Sequence, residues 1–350
     1  MNRSARAQPE SPLSVEDMRV RFATEDGIVH AVDGVSFDLR PGEILGIVGE
    51  SGSGKSVTAQ TLMGLTRSSN ASISGSVRFH GTDLVTASDE QLQSIRGREI
   101  SMVFQDPMTS LNPVYRVGYQ IIEQLEAHKE MSDHEAKERA VELLASVGIP
   151  NAKERVDNYP YEFSGGMRQR AMIAMALALE PRILIADEPT TALDVTIQAQ
   201  IMKLIQQLNE ERGLAVILIT HDLGVIAEVA DRVLVMYAGQ IVEQGSLDEI
   251  FYDPQHPYTW GLMGSLTRLD QPPPDRLPQI GGAPPSLLAP PPGCRFRPRC
   301  PHAFEKCGEL PELEERFPGA NGHADRCWLE PSEKREKREV EGRIGLGAPA

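Results

Sequence analysis

A short apolar run from Glu43 to Val48 opens directly into Gly49-Glu50-Ser51-Gly52-Ser53-Gly54-Lys55-Ser56. No other stretch limits the fold as tightly. Glycine, four intervening residues, glycine, lysine and serine form a phosphate-binding loop when a buried strand precedes them and a helix follows. The pattern predicts that strand, and a helix starting near Lys55. Glycines let successive backbone N–H groups converge on an anion, and the helix N-terminus adds its positive dipole. Lys55 is expected to reach the β- and γ-phosphates of a nucleoside triphosphate, and Ser56 to hold Mg²⁺. Gly49, Ser51, Gly52, Ser53, Gly54 and Val57 are expected to complete the lining.

A second apolar run, Ile183 to Ala186, ends in Asp187-Glu188. Four apolar residues place this strand in the core, so both carboxylates emerge at its C-terminal edge, where α/β sheets bind ligands. Asp187 is positioned to bind Mg²⁺ and Glu188 to polarise an attacking water. Ala215 to Ile219 reads as another buried strand, with His221 just beyond it. Val233 to Met236 and Ile241 to Val242, split by Ala238-Gly239-Gln240, read as a closing hairpin. From Val15 to Leu39 apolar residues alternate, as half-buried antiparallel strands do. From about Pro107 to Leu179 the period becomes helical, with Ala140, Leu143, Leu144 and Val147 on one face.

The chain of 350 residues carries a net charge of −15, with 40% hydrophobic and 24% charged residues. Such a composition can bury a sizeable core, while the acidic balance disfavours a nucleic-acid partner. The longest unbroken apolar run, Ala171 to Leu179, is nine residues, well short of the roughly 20 that a membrane helix needs. The N-terminus has no segment of signal-peptide type, so a cytosolic chain is expected.

A phosphate loop and an acidic strand end still leave kinases, helicases and GTPases open. Three further segments narrow the choice. Phe163-Ser164-Gly165-Gly166-Met167-Arg168-Gln169-Arg170 opens an apolar helix between the two halves of the site and looks like the ABC signature. Gln105, in Val103-Phe104-Gln105-Asp106-Pro107, looks like the Q-loop. His221 looks like the switch histidine, and Ala192-Leu193-Asp194 like the D-loop. In order and spacing, residues 15–250 resemble the ABC ATPase family.

The resemblance implies an α/β P-loop NTPase of ABC type: a RecA-like core sheet, an antiparallel β subdomain and a helical signature subdomain. It implies ATP and Mg²⁺, with Lys55, Glu188 and His221 catalytic and Ser56, Gln105 and Asp187 around the metal. It also implies a head-to-tail ATPase dimer in which Ser164, Gly165 and Gly166 face the partner's γ-phosphate. The family signature commonly has Gln where this chain has Met167, which favours a related second subunit over an identical one. Phe22 is the candidate to stack on adenine, with a plain core role as the alternative. Non-transport ABC ATPases acting on DNA or ribosomes are the rival; they typically carry two ATPase domains or a long insertion, and neither is present.

All four cysteines lie after residue 290, beyond a proline-rich stretch from Gln271 to Pro292. Cys294, Cys300, Cys307 and Cys327 have five, six and nineteen residues between them. Four thiolates can hold an iron–sulfur cluster or a structural zinc, and free or disulfide-bonded cysteines are the third option. The absence of paired C-x-x-C knuckles favours iron–sulfur. With His256-Pro257-Tyr258-Thr259, this extension resembles the ATPase subunits of dipeptide and oligopeptide importers, whose C-terminal region can hold a 4Fe–4S cluster. The resemblance implies two transmembrane permease subunits, an extracytoplasmic peptide-binding protein, and a peripheral place on the cytoplasmic face of the membrane. Nickel, glutathione or oligosaccharide remain as other cargoes. The expected organisation is a disordered 1–12, an ATPase domain at 13–252, an extension at 253–330 and a disordered tail at 331–350.

Overall fold

The computed structural model describes residues 11–106, 110–128, 130–191, 193–265, 280–316 and 322–340. Two sheets organise them. Strands β1 (Leu13–Thr24), β2 (Gly27–Leu39), β4 (Ala71–Phe79) and β5 (Thr82–Asp83) form an antiparallel sheet in the order β2-β1-β4-β5. The second sheet contains β3 (Ile44–Val48), β6 (Ile100–Val103), β7 (Ile183–Asp187), β8 (Ala215–Thr220), β9 (Arg232–Tyr237), β10 (Gln240–Ser246) and β11 (Ala324–Asp325). Its order is β11-β10-β9-β3-β8-β7-β6. The strands from β9 to β6 run parallel, and β10 and β11 close one edge antiparallel.

The parallel strands are buried on both faces, so they read as continuous apolar runs. Their side chains nevertheless alternate between two cores. Ile44 and Val48 of β3, Leu184 and Ala186 of β7, and Val216 and Leu218 of β8 pack with the helices. Leu45 and Ile47, Ile183 and Ile185, and Ile217 and Ile219 pack towards the antiparallel sheet. A period of two thus joins both layers through one sheet.

Helix α1 (Lys55–Leu62) follows β3, and α2 (Asp89–Ile95) precedes β6. A helical block sits between β6 and β7: α3 (Val117–Glu126), α4 (Asp133–Ser146), α5 (Ala152–Arg155) and α6 (Gly165–Ala176). Helices α7 (Val195–Arg212), α8 (Leu223–Val229) and α9 (Leu247–Tyr252) precede the extension, which opens with α10 (Pro257–Gly264). The helical period seen from Pro107 onward produces this block, although Pro107 itself lies outside the described residues.

The expected strands and closing hairpin are present. Sequence reading did not assign β4 or β6. In β4, Ser72, Ser74, Gly75 and Ser76 interrupt the alternation, and β6 is only four residues long. One expectation is corrected. The charged segment after residue 330 forms helix α11 (Pro331–Val340), with Pro331 at its start and Lys337 and Arg338 in its last turn. Its anchor is tertiary: the Lys334 ammonium lies 2.7 Å from both oxygens of Asp325, and both side chains are buried. Residues 1–10, 271–279 and 341–350 lie outside the described residues. Among the described residues, no helix is long and apolar enough to cross a membrane.

Candidate active site

Four neighbouring parallel strands, β3, β8, β7 and β6, deliver the candidate residues to one edge of the sheet. The loop from Gly49 follows β3, His221 follows β8, Asp187 and Glu188 end β7, and Gln105 follows β6. Residues far apart in sequence meet because C-terminal strand ends in a parallel sheet share one side.

The loop between β3 and α1 needs its glycines. Gly49 has φ +154°, and a Cβ there would lie 2.1 Å from the carbonyl oxygen of Met236. Gly54, with φ +100°, would place a Cβ 2.5 Å from the Ala31 oxygen. Lys55 is buried, and its Nζ donates to the carbonyl oxygens of Gly49 at 2.8 Å and Glu50 at 3.0 Å. Burial lowers its pKa, opposed by the charges of Glu188, Asp187 and Glu50. Ser51 and Gly52 are exposed at the loop tip, Ser53 is buried, and Val57 packs partly into the core beneath α1.

Ser56 Oγ donates to Asp187 Oδ1 at 3.1 Å, so the two oxygens expected to flank Mg²⁺ lie side by side. Burial raises the Asp187 pKa, with the Ser56 bond opposing it and the Glu188 charge reinforcing it.

Glu188 is the hub. Its φ of +46° is unusual for a non-glycine residue, and its N–H donates to Ile219 O at 2.8 Å. Gln105 Nε2 donates to Glu188 Oε2 at 2.8 Å, Thr191 Oγ1 donates to the same oxygen at 2.9 Å, and His221 Nδ1 lies 3.2 Å from Oε1. Burial pushes its pKa up, but the Thr191 and His221 bonds outweigh it, and the carboxyl sits below the usual range. Sequence reading missed Thr191; its only signal was a hydroxyl three residues after Glu188.

Ser164 caps α6, accepting the Met167 N–H at 3.3 Å. Gly166 lies so close to α7 that a Cβ would meet Ile197 Cγ2 at 2.7 Å, which fixes how the signature helix packs. Among the described residues, no hydrogen bond links Ser164, Gly165 or Gly166 to the phosphate loop. They form a separate surface. Of the expected D-loop, Ala192 lies outside the described residues, and Asp194 caps α7 through Ile197 N–H at 3.0 Å. Phe22 pairs with Val29 and Ala71 across the antiparallel sheet and packs partly buried against its core.

The four cysteines line one pocket with His256, Phe296, His302 and Trp328, around a cavity of only about 10 Å³. No disulfide joins them. Burial pushes the Cys294 thiol up, against N–H donors from Phe296 and Arg297. Burial takes Cys327 to about 12, with the Lys334 charge and the Leu329 N–H opposing. Backbone donors oppose the effect of burial at both sulfurs without overcoming it, so the thiol forms are favoured. Among the described residues, no three His, Cys, Asp or Glu side chains converge as ligands for one metal ion.

Comparisons with known proteins bear on the family of the chain. The ABC transporter family matches residues 32–191, and the C-terminal region of oligopeptide/dipeptide transporters matches residues 242–307. The oligopeptide transport ATP-binding protein OppD of Escherichia coli K12 is 54% identical over 315 residues, covering 90% of this chain and 93% of that protein. The dipeptide transport ATP-binding protein DppD of Bacillus subtilis 168 is 52% identical over 326 residues, covering 92% and 95%. Among solved structures, the dimeric ATP-binding cassette MJ0796 in a post-hydrolysis state with ADP and Pi superposes with a TM-score of 0.61 at 29% identity. It covers 67% of this chain and 98% of that one. With loop, carboxylates, glutamine and histidine gathered at one sheet edge, the chain is an ATP-hydrolysing member of the ABC transporter family, in the branch of the oligopeptide and dipeptide transport ATP-binding subunits.

Proposed function

We propose that this subunit powers uptake of di- or oligopeptides through two transmembrane permease subunits, from the cytoplasmic face of the membrane. The observation that carries this reading is similarity along nine tenths of the chain to proteins named as oligopeptide and dipeptide transport subunits. Lys55 and the loop N–H groups bind the phosphates, and Ser56, Asp187 and Gln105 hold Mg²⁺. Glu188, ionised and held by Thr191, His221 and Gln105, orients water and accepts its proton. His221 then supports the γ-phosphate. Positioning and electrostatics supply the catalysis.

The surface of Ser164, Gly165 and Gly166 serves a second ATPase subunit, whose phosphate loop it completes; Met167 favours a paralogue in that place. Phe22 stacks on adenine. Phe104, next to Gln105, lines a groove with Met63, Leu65, Met172 and Met175 that suits a permease segment. Peptide reaches the permease from an extracytoplasmic binding protein. Reconstitution in vesicles with its permease subunits, a partner ATPase and a peptide-binding protein provides the test. ATP-dependent uptake of a labelled tripeptide is expected. Uptake of nickel, glutathione or an oligosaccharide, with peptide ignored, overturns the cargo.

Cys294, Cys300, Cys307 and Cys327 hold a 4Fe–4S cluster, with zinc as the alternative. The cluster supplies a cross-link among segments of the extension and takes no part in hydrolysis. Anaerobically purified protein is expected to absorb near 400 nm and to contain iron. A colourless, zinc-containing preparation rules the cluster out.

A further inference from the structure

Glu50 sets a problem for the loop that carries it: a carboxylate within a segment built to bind a polyanion. The extension answers it. Arg299, one residue before Cys300, donates from Nη1 to Glu50 Oε2 at 2.6 Å and from Nη2 to Glu50 Oε1 at 3.0 Å. Its remaining donors reach Tyr237 Oη at 3.3 Å, Ile280 O at 3.2 Å and Gly281 O at 2.9 Å. All five guanidinium N–H groups are thus engaged, and the side chain is 4% exposed. Such a fork–fork pair is among the strongest and most directional of side-chain contacts. Tyr258 adds a second hold, its Oη accepting the Glu50 N–H at 2.9 Å. The rings of Tyr237, Tyr258 and Phe296 pack together behind it, with centroids 4.5 to 5.4 Å apart. Glu50 is therefore fixed at its N–H and carboxylate by Tyr258 and Arg299 of the extension, and at its carbonyl by Lys55.

We propose that Arg299 is a positioning residue for nucleotide binding: it neutralises Glu50 and turns its carboxylate away from the phosphates, so the phosphate loop is complete only with the extension docked. The inference rests on the reading of Gly49–Ser56 as the nucleotide site. Without Arg299, the Glu50 carboxylate faces the triphosphate uncompensated, and like charges at close range repel. Removing that carboxylate as well removes the need for the arginine. A contact that merely stabilises the fold gives no such recovery.

The test measures Mg-ATP affinity and steady-state hydrolysis of the full chain with its partner subunits. Arg299→Met is expected to raise Kd and KM about tenfold, with kcat kept within about threefold. The affinity of R299M/E50Q is expected to lie close to that of Glu50→Gln alone and well above that of R299M. If R299M binds as the parent does, or the double variant is as weak as R299M, the proposal is overturned. Should R299M fail to fold, Arg299→Lys carries the comparison: it loses the fork, and E50Q must again restore its affinity. Lys55→Ala separates the two readings. If K55A binds normally, the loop is not the nucleotide site and both fall; if K55A alone loses binding, only the role of Arg299 falls.

Discussion

Glu188 shows how much one residue can carry. Its ends are held by Gln105, Thr191 and His221, which lie up to 83 positions from it in sequence. Glu188→Gln keeps the shape and most hydrogen bonds but cannot accept a proton. Hydrolysis is expected to fall by about 10²- to 10⁴-fold, with ATP binding retained and an ATP-dependent dimer visible by size exclusion. Retention of most turnover would show that another group takes the proton. The carboxylates, lysine and histidine of this site were legible in the sequence because each sits at a fixed offset from a strand end. Thr191 and Arg299 were not. Thr191 belongs to no spacing pattern, and Arg299 was only one of several arginines flanking the cysteines until the fold laid it against Glu50.

Helices and strands here take their boundaries from local chemistry, and α10 adds a pH dependence. His256 caps it, Nδ1 accepting the Tyr258 N–H at 3.1 Å, with Pro257 next in line. Burial, reinforced by the charges of Lys334 and Arg326, lowers the His256 pKa from 6.5 to about 3. The unfolded chain gains a proton below 6.5 that the folded one refuses, so stability is full above that value and lost as pH falls towards 3. Each unit in that window costs about 1.4 kcal/mol. His323, raised by Glu243 although burial opposes it, works in the other sense: its contribution is present below 6.5 and lost as pH rises through its folded value. His256→Asn preserves a capping oxygen without titrating. Its melting temperature is expected to fall less than the parent's between pH 7 and 5; parallel curves would clear His256 of the effect. Sequence reading did not assign α10. Strand β6 and the serine-rich β4 escaped because pairing partners, not their own composition, make them strands.

At the scale of the whole molecule, the extension is part of the ATPase fold. Arg295 bonds to Asp33 and to the Ala238 carbonyl, and Arg326 donates to Ile241 O at 2.8 Å. The Lys334–Asp325 pair is buried where α11 meets the sheet edge. Lys334→Met strands a carboxylate there and is expected to cost about 3–5 kcal/mol, read as a lower melting temperature, with K334M/D325N recovering most of it. Equal melting of K334M and the parent would mean that α11 contributes nothing. The charged composition of 331–340 hid this helix because its anchor lies six residues outside it, at Asp325. Strand β11 shows what the arrangement protects. Ala324 and Asp325 pair with Gln244 and Glu243, covering an edge of the main sheet. A chain cut before the extension would display the unpaired backbone of β10, a template on which other chains can assemble. Selection against aggregation thus gives the cell a reason to keep the tail, independent of anything the cysteines hold.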